Sequence, residues 1–336
     1  MRVAMLSSIS WRTPPRAYGP WELVTSLLTE ALVERGVDVT LFATRDSVTA
    51  GKLDGVAPRG YSEDDSLNPK VWEALHIANL FERAAEFDLI HNQADFMPLM
   101  FARLTDRPII TTIHGFSSPS ILPMFQRYND RSAYVAISDA DRHPSLTYAA
   151  TIHHGIPIED FPFDPAGSED LLFFGRFHPD KGAGDAVRAA RAVGRKLVMA
   201  GLVQDADYFA REVAPFVDDR TVEYRGVIGG EDRTRALGQA HALLHLIGFD
   251  EPFGLSVIEA MACGTPVIAY RRGSMPELID DGVTGFLVDS FDEAVRAIGR
   301  IGQIDRAACR RAVAERFTVD RMADRYLELY RQLLDG

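Results

Sequence analysis

Short apolar segments rich in β-branched residues alternate with segments of helical periodicity along most of the chain, and this alternation most restricts the fold. In the helical segments, apolar residues recur every three or four positions. The alternation is typical of a parallel sheet with helices on both faces. Pro20 is suited to open the first helix and Gly36 to end it. The pattern predicts strands at 3–6, 39–43, 89–91, 109–113 and 134–137, and helices at 21–35, 71–86 and 96–104.

A run of prolines and turn-forming residues, H-G-I-P-I-E-D-F-P-F-D-P, interrupts this alternation at 154–165 and predicts a linker. The alternation then restarts, and 336 residues suit two domains of about 100–200 residues each. We therefore expect an α/β protein of two Rossmann-like domains whose parallel sheets face across a cleft, with ligands at the carboxyl ends of the strands. The second half is predicted to hold strands at 171–174, 197–200, 222–225, 243–245, 267–269 and 285–288, and final helices at 306–315 and 319–334.

The net charge of −12 opposes binding to nucleic acid and to anionic membranes, except at a local basic pocket. Cys263 and Cys309 lie in no C-x-x-C pair or His-rich cluster, so neither a structural zinc site nor a disulfide framework is expected. The apolar run at the N-terminus is too short for a secretory signal, and no segment approaches the roughly 18 apolar residues of a membrane span. We expect a soluble, cytoplasmic protein that binds no nucleic acid and does not insert stably into membranes.

Two glutamates lie in the segment 251–269, E-P-F-G-L-S-V-I-E-A-M-A-C-G-T-P-V-I-A, which follows a predicted strand and passes through a glycine into a helix. A helix N-terminus presents unpaired N–H groups and the positive end of the helix dipole, which suit an anion. Glu251, just before the helix, could simply complement that dipole. Glu259 lies among apolar residues inside the helix. A buried carboxylate there needs a partner, and a bound sugar hydroxyl is a suitable one.

A second loop, F-F-G-R-F-H-P-D-K-G at 173–182, also follows a predicted strand and precedes a helix. Arg176 and Lys181 supply one forked and one compact cation, which together suit a diphosphate. In isolation, such charges are more often solvated surface groups. Because both loops follow strands of one predicted sheet, we expect these cations at the same sheet edge as Glu251.

These stretches resemble family 4 of the retaining glycosyltransferases, which have the two-domain GT-B fold, and the resemblance covers nearly the whole chain. Its motifs are the glutamates separated by seven residues, Glu251 and Glu259, and the G-R-x-x-x-x-K-G loop at 175–182. Three shorter segments are similar to a bacterial subgroup near the tetrahydrobiopterin glucosyltransferases: T-T-I-H-G at 111–115, A-I-S-D-A at 136–140 and H-H-G-I-P at 153–157.

The resemblance implies how the second domain would bind a nucleotide-diphosphate sugar. Arg176 and Lys181 would bind the diphosphate and stabilise the departing charge. Glu259 would hold the ribose hydroxyls, and Glu251 would hold hydroxyls of the transferred sugar. Backbone N–H groups would approach the sugar and phosphates at Phe253, Gly254 and Leu255.

The resemblance also implies two donor contacts in the first domain, His114 and Gly19. His114, at the carboxyl end of a strand, would contact the donor sugar beside the reacting carbon; from the residues alone it could equally be a buried histidine bonded to backbone. Gly19 lies where the family usually has two adjacent glycines close to donor phosphate and acceptor. Here Pro20 follows it, and proline has no N–H. The remaining histidines of interest are interpreted as structural: His91, His153 and His154.

The acceptor is predicted to bind loops 13–22, 92–96 and 115–125, because the donor motifs all lie after residue 170. Phe116 stands where relatives often have arginine, which predicts a less anionic acceptor. Aromatic side chains in or beside these loops suit a small soluble acceptor, such as a sugar or a ring compound. They are Trp11, Tyr18, Trp21, Phe96, Phe116 and Phe125. Of these, Trp21 is the one most expected in the core.

Two acidic pairs, Asp205/Asp207 and Asp139/Asp141, resemble the metal-binding D-x-D of other glycosyltransferases. We interpret Asp139 as a helix cap. The two cations of the 175–182 loop already supply the charge that a metal would supply. We therefore predict no metal site and no cofactor.

The resemblance divides the chain into an acceptor domain at 1–155, a donor domain at 156–317 and a C-terminal helix at 318–336 that crosses back to the first domain. The predicted reaction transfers a hexosyl group, glucosyl from UDP-glucose, to a small soluble acceptor with retention. No carboxylate is clearly placed as a covalent nucleophile, and the family implication is front-face substitution. Three alternatives remain open: a GDP-mannose-dependent mannosyltransferase, a GT-B epimerase or phosphorylase-like enzyme, and a non-catalytic sugar-binding protein.

Overall fold

The computed structural model describes residues 1–16, 18–115 and 119–335, and the chain forms two compact units. One unit comprises Met1–Gly155 and Val319–Gly336, and the other comprises Ile156–Thr318. The chain therefore leaves the first unit once and returns to it for its last helix. No helix in the described ranges is both long and apolar enough to cross a membrane.

The first unit is built on a parallel sheet with the strand order β3-β2-β1-β4-β5-β6-β7. Its strands are β1 Arg2–Leu6, β2 Asp38–Phe42, β3 Lys52–Asp54, β4 Leu89–Asn92, β5 Ile109–Ile113, β6 Ala133–Ala136 and β7 Tyr148–Thr151. Its helices up to residue 155 are α1 Pro20–Glu34, α2 Pro69–Phe81 and α3 Leu122–Tyr128. The strand order reverses between β1 and β4, so the carboxyl ends around this point are the favoured place for a ligand.

Local sequence accounts for most of these elements. Pro20 is the first residue of α1, and Gly36 follows its end with a φ of 79°, so both predicted helix signals are confirmed. The predicted helix 71–86 ends at Phe81 and is followed by the 3₁₀ turn Ala84–Glu86. The predicted helix 96–104 is instead the 3₁₀ helix Met97–Phe101. Strands β3 and β7 lie outside the prediction because β3, K-L-D, has two charged residues and β7, Y-A-A-T, has two alanines, which are depleted in strands.

The second unit repeats this architecture with the strand order β10-β9-β8-β11-β12-β13, again parallel throughout. Its strands are β8 Leu171–Phe174, β9 Leu197–Ala200, β10 Val222–Tyr224, β11 Ala242–His245, β12 Val267–Tyr270 and β13 Gly285–Val288. Its helices are α4 Ala183–Ala192, α5 Ala206–Glu212, α6 Gly230–Gln239, α7 Leu255–Ala262, α8 Met275–Leu278, α9 Phe291–Ile298 and α10 Arg306–Arg316. The reversal of strand order here lies between β8 and β11.

The last helix, α11 Val319–Asp335, belongs to the first unit and packs against α1. Arg35, just after α1, forms ion pairs with Asp320 and Asp324 at 2.7 and 2.8 Å. Tyr326 and Tyr330 of α11 are almost completely buried. The hydrophobic core of the first unit therefore includes residues from both ends of the chain.

Arg306 in α10 ties three backbone carbonyls of the second unit together, and its substitution is expected to destabilise that unit. Its guanidinium donates to Asp164 O at 2.7 Å, Ala240 O at 2.9 Å and Gly238 O at 2.5 Å. Arg306→Met removes these donors, and each hydrogen bond contributes roughly 1 kcal/mol. We expect the free energy of unfolding in urea to fall by about 2–4 kcal/mol. Arg311→Met is the control on the same helix, since Arg311 is exposed and paired only with Asp305 at 3.1 Å; equal losses for both variants would contradict this assignment.

Candidate functional site

Lys181 and Glu251 form an ion pair at the carboxyl edge of the second sheet. Lys181 ends the 3₁₀ turn after β8, and Glu251 lies in the loop after β11, the neighbouring strand. Only 15% and 16% of the two side chains remain exposed. Lys181 Nζ also lies 4.7 Å from the centroid of the Phe249 ring. The two sequence motifs thus meet at one sheet edge, as their positions after predicted strands led us to expect.

Close backbone packing places Lys181 beside the end of β11. Gly182 has a φ of 74°, and a Cβ atom there would lie 1.8 Å from Leu246 O. Only glycine allows both that conformation and that approach. The glycine that ends the G-R-x-x-x-x-K-G motif therefore positions the loop rather than binding a ligand itself.

Arg176 lies earlier in the same loop and is partly buried. Its guanidinium donates to the Gln204 side-chain oxygen, in the loop after β9. A neutral amide does not compensate the charge of the guanidinium, and a bound diphosphate would do so. No sequence pattern pointed to Gln204.

Glu259 lies on α7 and is only 1% exposed. Its Oε1 atom accepts a hydrogen bond from Arg233 Nη2 on α6. Among the residues that the structure describes, Glu259 Oε2 and Arg233 Nε have no hydrogen-bond partner. Arg233 thus supplies the partner that the sequence interpretation assigned to a ligand, while the second carboxylate oxygen stays available for one.

Residues after β12 brace the loop that contains Glu251. Ser274 N donates to Glu251 O at 3.0 Å, and Ser274 Oγ donates to Phe253 O. A Cβ atom on Gly273, whose φ is 53°, would lie 2.5 Å from Glu251 N. The Gly273–Ser274 pair, which sequence reasoning missed, therefore holds the backbone of the loop in place.

The backbone groups predicted to approach the donor lie at the start of α7, an eight-residue helix. Gly254 caps this helix with a φ of 108°, a conformation that favours glycine. The first N–H groups of a helix have no partner within it and favour an anion. The predicted amide donors at this terminus are Phe253, Gly254 and Leu255.

His114 follows β5 in the first unit and is buried. Its Nε2 atom lies 2.6 Å from Gln93 Oε1, and its ring stacks on Trp21 with a centroid distance of 5.3 Å. Burial lowers the pKa of His114 to about 3, so the ring is neutral at working pH. The alternative of a histidine bonded to backbone is not supported, because its hydrogen-bond partners among the described residues are the Gln93 and His154 side chains. The expectation that Trp21 lies in the core is wrong, since it is partly exposed beside His114.

Gly19 caps α1 with a φ of 147°. A Cβ atom there would lie 2.9 Å from Pro15 Cβ and 3.0 Å from Glu22 Oε2, so glycine is needed for packing as well as conformation. Glu22 is buried, which raises its pKa, and it accepts a hydrogen bond from Trp11 N at 3.2 Å. The loop after β1 is thus held by its own side chains.

The aromatic residues predicted to bind the acceptor differ in their burial and in their packing partners. Tyr18 and Trp11 pack edge to face with a centroid distance of 6.0 Å. Phe125 is completely buried, so its assignment to an acceptor loop is wrong; it belongs to the core with Tyr134. Phe96 packs partly buried against the same core. Phe116 lies outside the described residues.

The acidic pairs make structural contacts. Asp205 caps α5 by accepting from Tyr208 N at 2.8 Å. The interpretation of Asp139 as a helix cap is wrong, because turns rather than a helix follow it. Its carboxylate instead accepts from Thr151 Oγ1 at 2.5 Å.

Asp95 follows β4 and has a φ of 62°, and burial raises its pKa to about 7. The folded state therefore holds the proton more tightly than the unfolded state. This contribution to stability is fully present below the ordinary pKa near 4 and is lost as the pH rises through 7. Asn tolerates the same backbone conformation and carries no charge. We expect Asp95→Asn to raise the melting temperature at pH 8 and to change it much less at pH 5; equal shifts at both pH values would contradict the raised pKa.

Two parallel sheets with helices in most connections between strands form two Rossmann-like domains, and the solved structures that match them include glycosyltransferases. AviGT4, a glycosyltransferase involved in avilamycin A biosynthesis, matches with a TM-score of 0.75 and 27% identity, covering 100% of this chain and 98% of its own. HepE of Anabaena in complex with UDP-glucose matches with a TM-score of 0.74 and 19% identity, covering 99% and 100% of the two chains. The predicted α/β class of two Rossmann-like domains is confirmed.

Family models match both halves of the chain. The model described as glycosyltransferase family 4 matches residues 22–159, and the one described as glycosyl transferases group 1 matches residues 168–303. Together the two models cover most of the chain, which belongs to the GT-B family of the group 1 and family 4 type. A D-inositol 3-phosphate glycosyltransferase from Saccharomonospora viridis is 31% identical over 194 residues, which cover 51% of this chain and 44% of that protein. The match thus spans less than half the length of this curated relative.

Proposed function

We propose that this protein is a retaining glycosyltransferase that transfers a hexosyl group from a nucleotide-diphosphate sugar to a small soluble acceptor. The observation that carries the proposal is the Lys181–Glu251 ion pair beside the N-terminus of α7. It places a cation for a diphosphate and a carboxylate for sugar hydroxyls at one sheet edge. An ion pair with only a structural role would not require a helix N-terminus and a braced loop beside it.

In the proposed reaction, the bond between the anomeric carbon and the diphosphate oxygen breaks as the acceptor oxygen bonds to the same face of the sugar. The acceptor proton passes to the departing diphosphate. Lys181, Arg176 and the first N–H groups of α7 stabilise the negative charge that develops on that group. Such preorganised electrostatic stabilisation is usually the largest contribution to rate.

The contacts of the first unit favour an acceptor without a phosphate. Arg16, one of the two arginines in the loop after β1, is already paired with Asp46 at 3.0 Å and Glu63 at 2.9 Å. Glu22, in the first turn of α1, adds a buried carboxylate next to this loop. A phosphorylated acceptor, as in the name of the inositol 3-phosphate relatives, would have to displace Asp46 and Glu63 in order to bind Arg16. The likeness to tetrahydrobiopterin glucosyltransferases stays a prediction within this class.

The function is tested by incubating the protein with UDP-glucose or GDP-mannose and panels of neutral and phosphorylated acceptors. Acceptor-dependent nucleotide release with an α-linked product supports the proposal. Preference for GDP-mannose supports the mannosyltransferase alternative, and a β-linked product rejects retention. An isomerised sugar without acceptor identifies an epimerase, and phosphate-dependent release of a sugar phosphate identifies a phosphorylase-like enzyme. Donor binding without turnover identifies a binding protein.

Activity is expected to survive removal of divalent ions. The diphosphate charge is met by Lys181, Arg176 and the N-terminus of α7, so no metal is needed to neutralise it. Initial rates with and without excess EDTA provide the measurement. Complete loss that is reversed by magnesium would contradict the prediction and make the acidic pairs metal-site candidates again.

A further inference from the structure

A chain of buried polar side chains in the first unit connects His114 with the last helix, α11. Gln93 lies between two histidines: its Oε1 atom is 2.6 Å from His114 Nε2, and its Nε2 atom is 3.1 Å from His91 Nε2. His91 Nδ1 lies 2.6 Å from the Tyr330 hydroxyl on α11. Gln93, His91 and Tyr330 have no measurable exposure, so these contacts do not exchange with water.

A second branch joins the same histidine to α11. His91 Nε2 also lies 2.8 Å from Thr112 Oγ1, which in turn lies 2.7 Å from the Tyr326 hydroxyl. Two tyrosines of one helix are therefore connected to one imidazole, Tyr330 by a direct hydrogen bond and Tyr326 through the Thr112 hydroxyl.

Both histidines are neutral, because burial lowers the pKa of each to about 3. A neutral imidazole has one nitrogen that donates and one that accepts, and the partner of either nitrogen decides which. The Gln93 amide offers one acceptor oxygen and one donor nitrogen. The Gln93 oxygen contacts Nε2 of one ring, and the Gln93 nitrogen contacts Nε2 of the other. One ring must therefore donate a hydrogen bond from Nε2, and the other must accept one there.

We propose that Gln93 is a positioning residue that forces His91 and His114 into opposite tautomers, with the proton of His114 on Nε2 and that of His91 on Nδ1. The Gln93 oxygen accepts from His114 Nε2–H. His91 Nε2 accepts from the Gln93 amide and from Thr112, and His91 Nδ1–H donates to Tyr330. The importance of this tautomer for sugar transfer rests on the proposed function; the tautomer itself does not.

One consequence concerns the other edge of the His114 ring. With its proton on Nε2, His114 keeps a lone pair on Nδ1, which lies 3.4 Å from His154 Nε2. Trp21 covers one face of the ring at an interplanar angle of 20°. The ring is thus restrained at Nε2, near Nδ1 and on one face. A group that contacts a substrate in a single orientation requires such restraint.

The first test reads the tautomers directly, without substrate. Long-range ¹H–¹⁵N correlation spectra of the full chain, labelled in its nine histidines, distinguish the protonated from the unprotonated ring nitrogen. The His91 and His114 signals are assigned by single His→Asn substitutions. We expect His114 with its proton on Nε2 and His91 with its proton on Nδ1. The same tautomer for both rings, or the reverse assignment, would overturn the proposal.

The second test removes the coupling. Gln93→Met keeps the length of the side chain and removes both amide groups, so the His114 signals should change from a single tautomer to a mixture. Gln126→Met is the matched control, because Gln126 is exposed and its side chain bonds Ser145 Oγ at 2.9 Å, away from both histidines. An unchanged His114 spectrum in Gln93→Met would reject the coupling.

The contact between His91 and α11 is tested by Tyr330→Phe, which removes the hydroxyl that accepts the hydrogen bond from His91 Nδ1–H. The His91 signals should then report a mixture of tautomers. Tyr134→Phe is the control, since it removes an equally buried hydroxyl that donates to Phe125 O at 2.7 Å outside this network. A change in His91 of the same size in both variants would show a general loosening of the core and reject the assignment.

The kinetic measurement connects the tautomer to the proposed function. Gln93→Met is expected to lower kcat about 10- to 100-fold while the donor KM stays within about twofold, since misplacement of a reacting group lowers rate more than binding. If the spectra change as expected but kcat does not, the positioning role in transfer is wrong and the tautomer assignment stands. If the wild-type protein transfers no sugar, the proposed function fails, and the spectra still decide the coupling.

Discussion

Lys181→Met is expected to lower kcat/KM for the nucleotide-sugar donor by about 100- to 1,000-fold, the range found when one preorganised donor to a developing negative charge is removed. Lys181 is well placed for this role because it is mostly buried and contacts Glu251. The substitution removes the cation and leaves the Glu251 carboxylate without it, so both donor binding and turnover should fall.

The control for Lys181→Met is Lys196→Met in the same unit. Lys196 pairs with Glu223 at 2.6 Å, at the start of β9 and away from the carboxyl edge of the sheet. It should retain nearly full activity. Melting temperatures of both variants separate loss of function from loss of fold. A wild-type kcat/KM in correctly folded Lys181→Met would reject the assignment of the site.

Arg233→Met is expected to lower the free energy of unfolding by about 3 kcal/mol, because it leaves the buried Glu259 carboxylate without its partner. Glu259 is the most deeply buried of the predicted site carboxylates, and Arg233 itself is 28% exposed. Breaking such a pair is far more damaging than replacing both members. The double variant Arg233→Met/Glu259→Leu should therefore recover most of the lost stability.

Nucleotide affinity separates the structural role of this pair from its proposed role in binding. The double variant should bind UDP about 10- to 100-fold more weakly, because it removes the Glu259 carboxylate and charge-assisted hydrogen bonds contribute about 1.5–3 kcal/mol each. Arg235→Met, on the same helix but exposed, is the control for both measurements. If the double variant bound UDP as tightly as the wild-type protein, Glu259 would be a core residue and no part of the nucleotide site.

The strands and helices could be predicted from sequence because their signals are local. The central strands of both sheets are buried and rich in apolar residues, and their predicted bounds agree with the structure to within one or two residues at most ends. The edge strand β3, Lys52–Asp54, carries two charged residues out of three and gives no such signal. The segment at 97–101 has helical periodicity, yet Pro98 near its start accompanies a tight 3₁₀ turn.

The candidate site was predictable only where its residues occur in a motif. Lys181 and Glu251 follow adjacent strands, so the order of strands alone brings them to one edge. Arg233 and Gln93 could not be found in this way, because a single charged or amide residue on a helix or after a strand carries no pattern. Their hydrogen bonds to Glu259 and His114 arise from tertiary packing, which leaves no local pattern in the sequence.

The return of α11 to the first unit has a consequence for the order in which this protein folds during synthesis. Residues 156–318 form a continuous segment whose ends meet, since Ile156 N donates to Phe317 O at 2.9 Å. That unit can fold as soon as its own residues have left the ribosome. The first unit is translated earlier, yet it lacks Tyr326, Tyr330 and the rest of α11 until the whole second unit has been translated. The later segment should thus reach its native state first, the reverse of the usual N-terminal-first order.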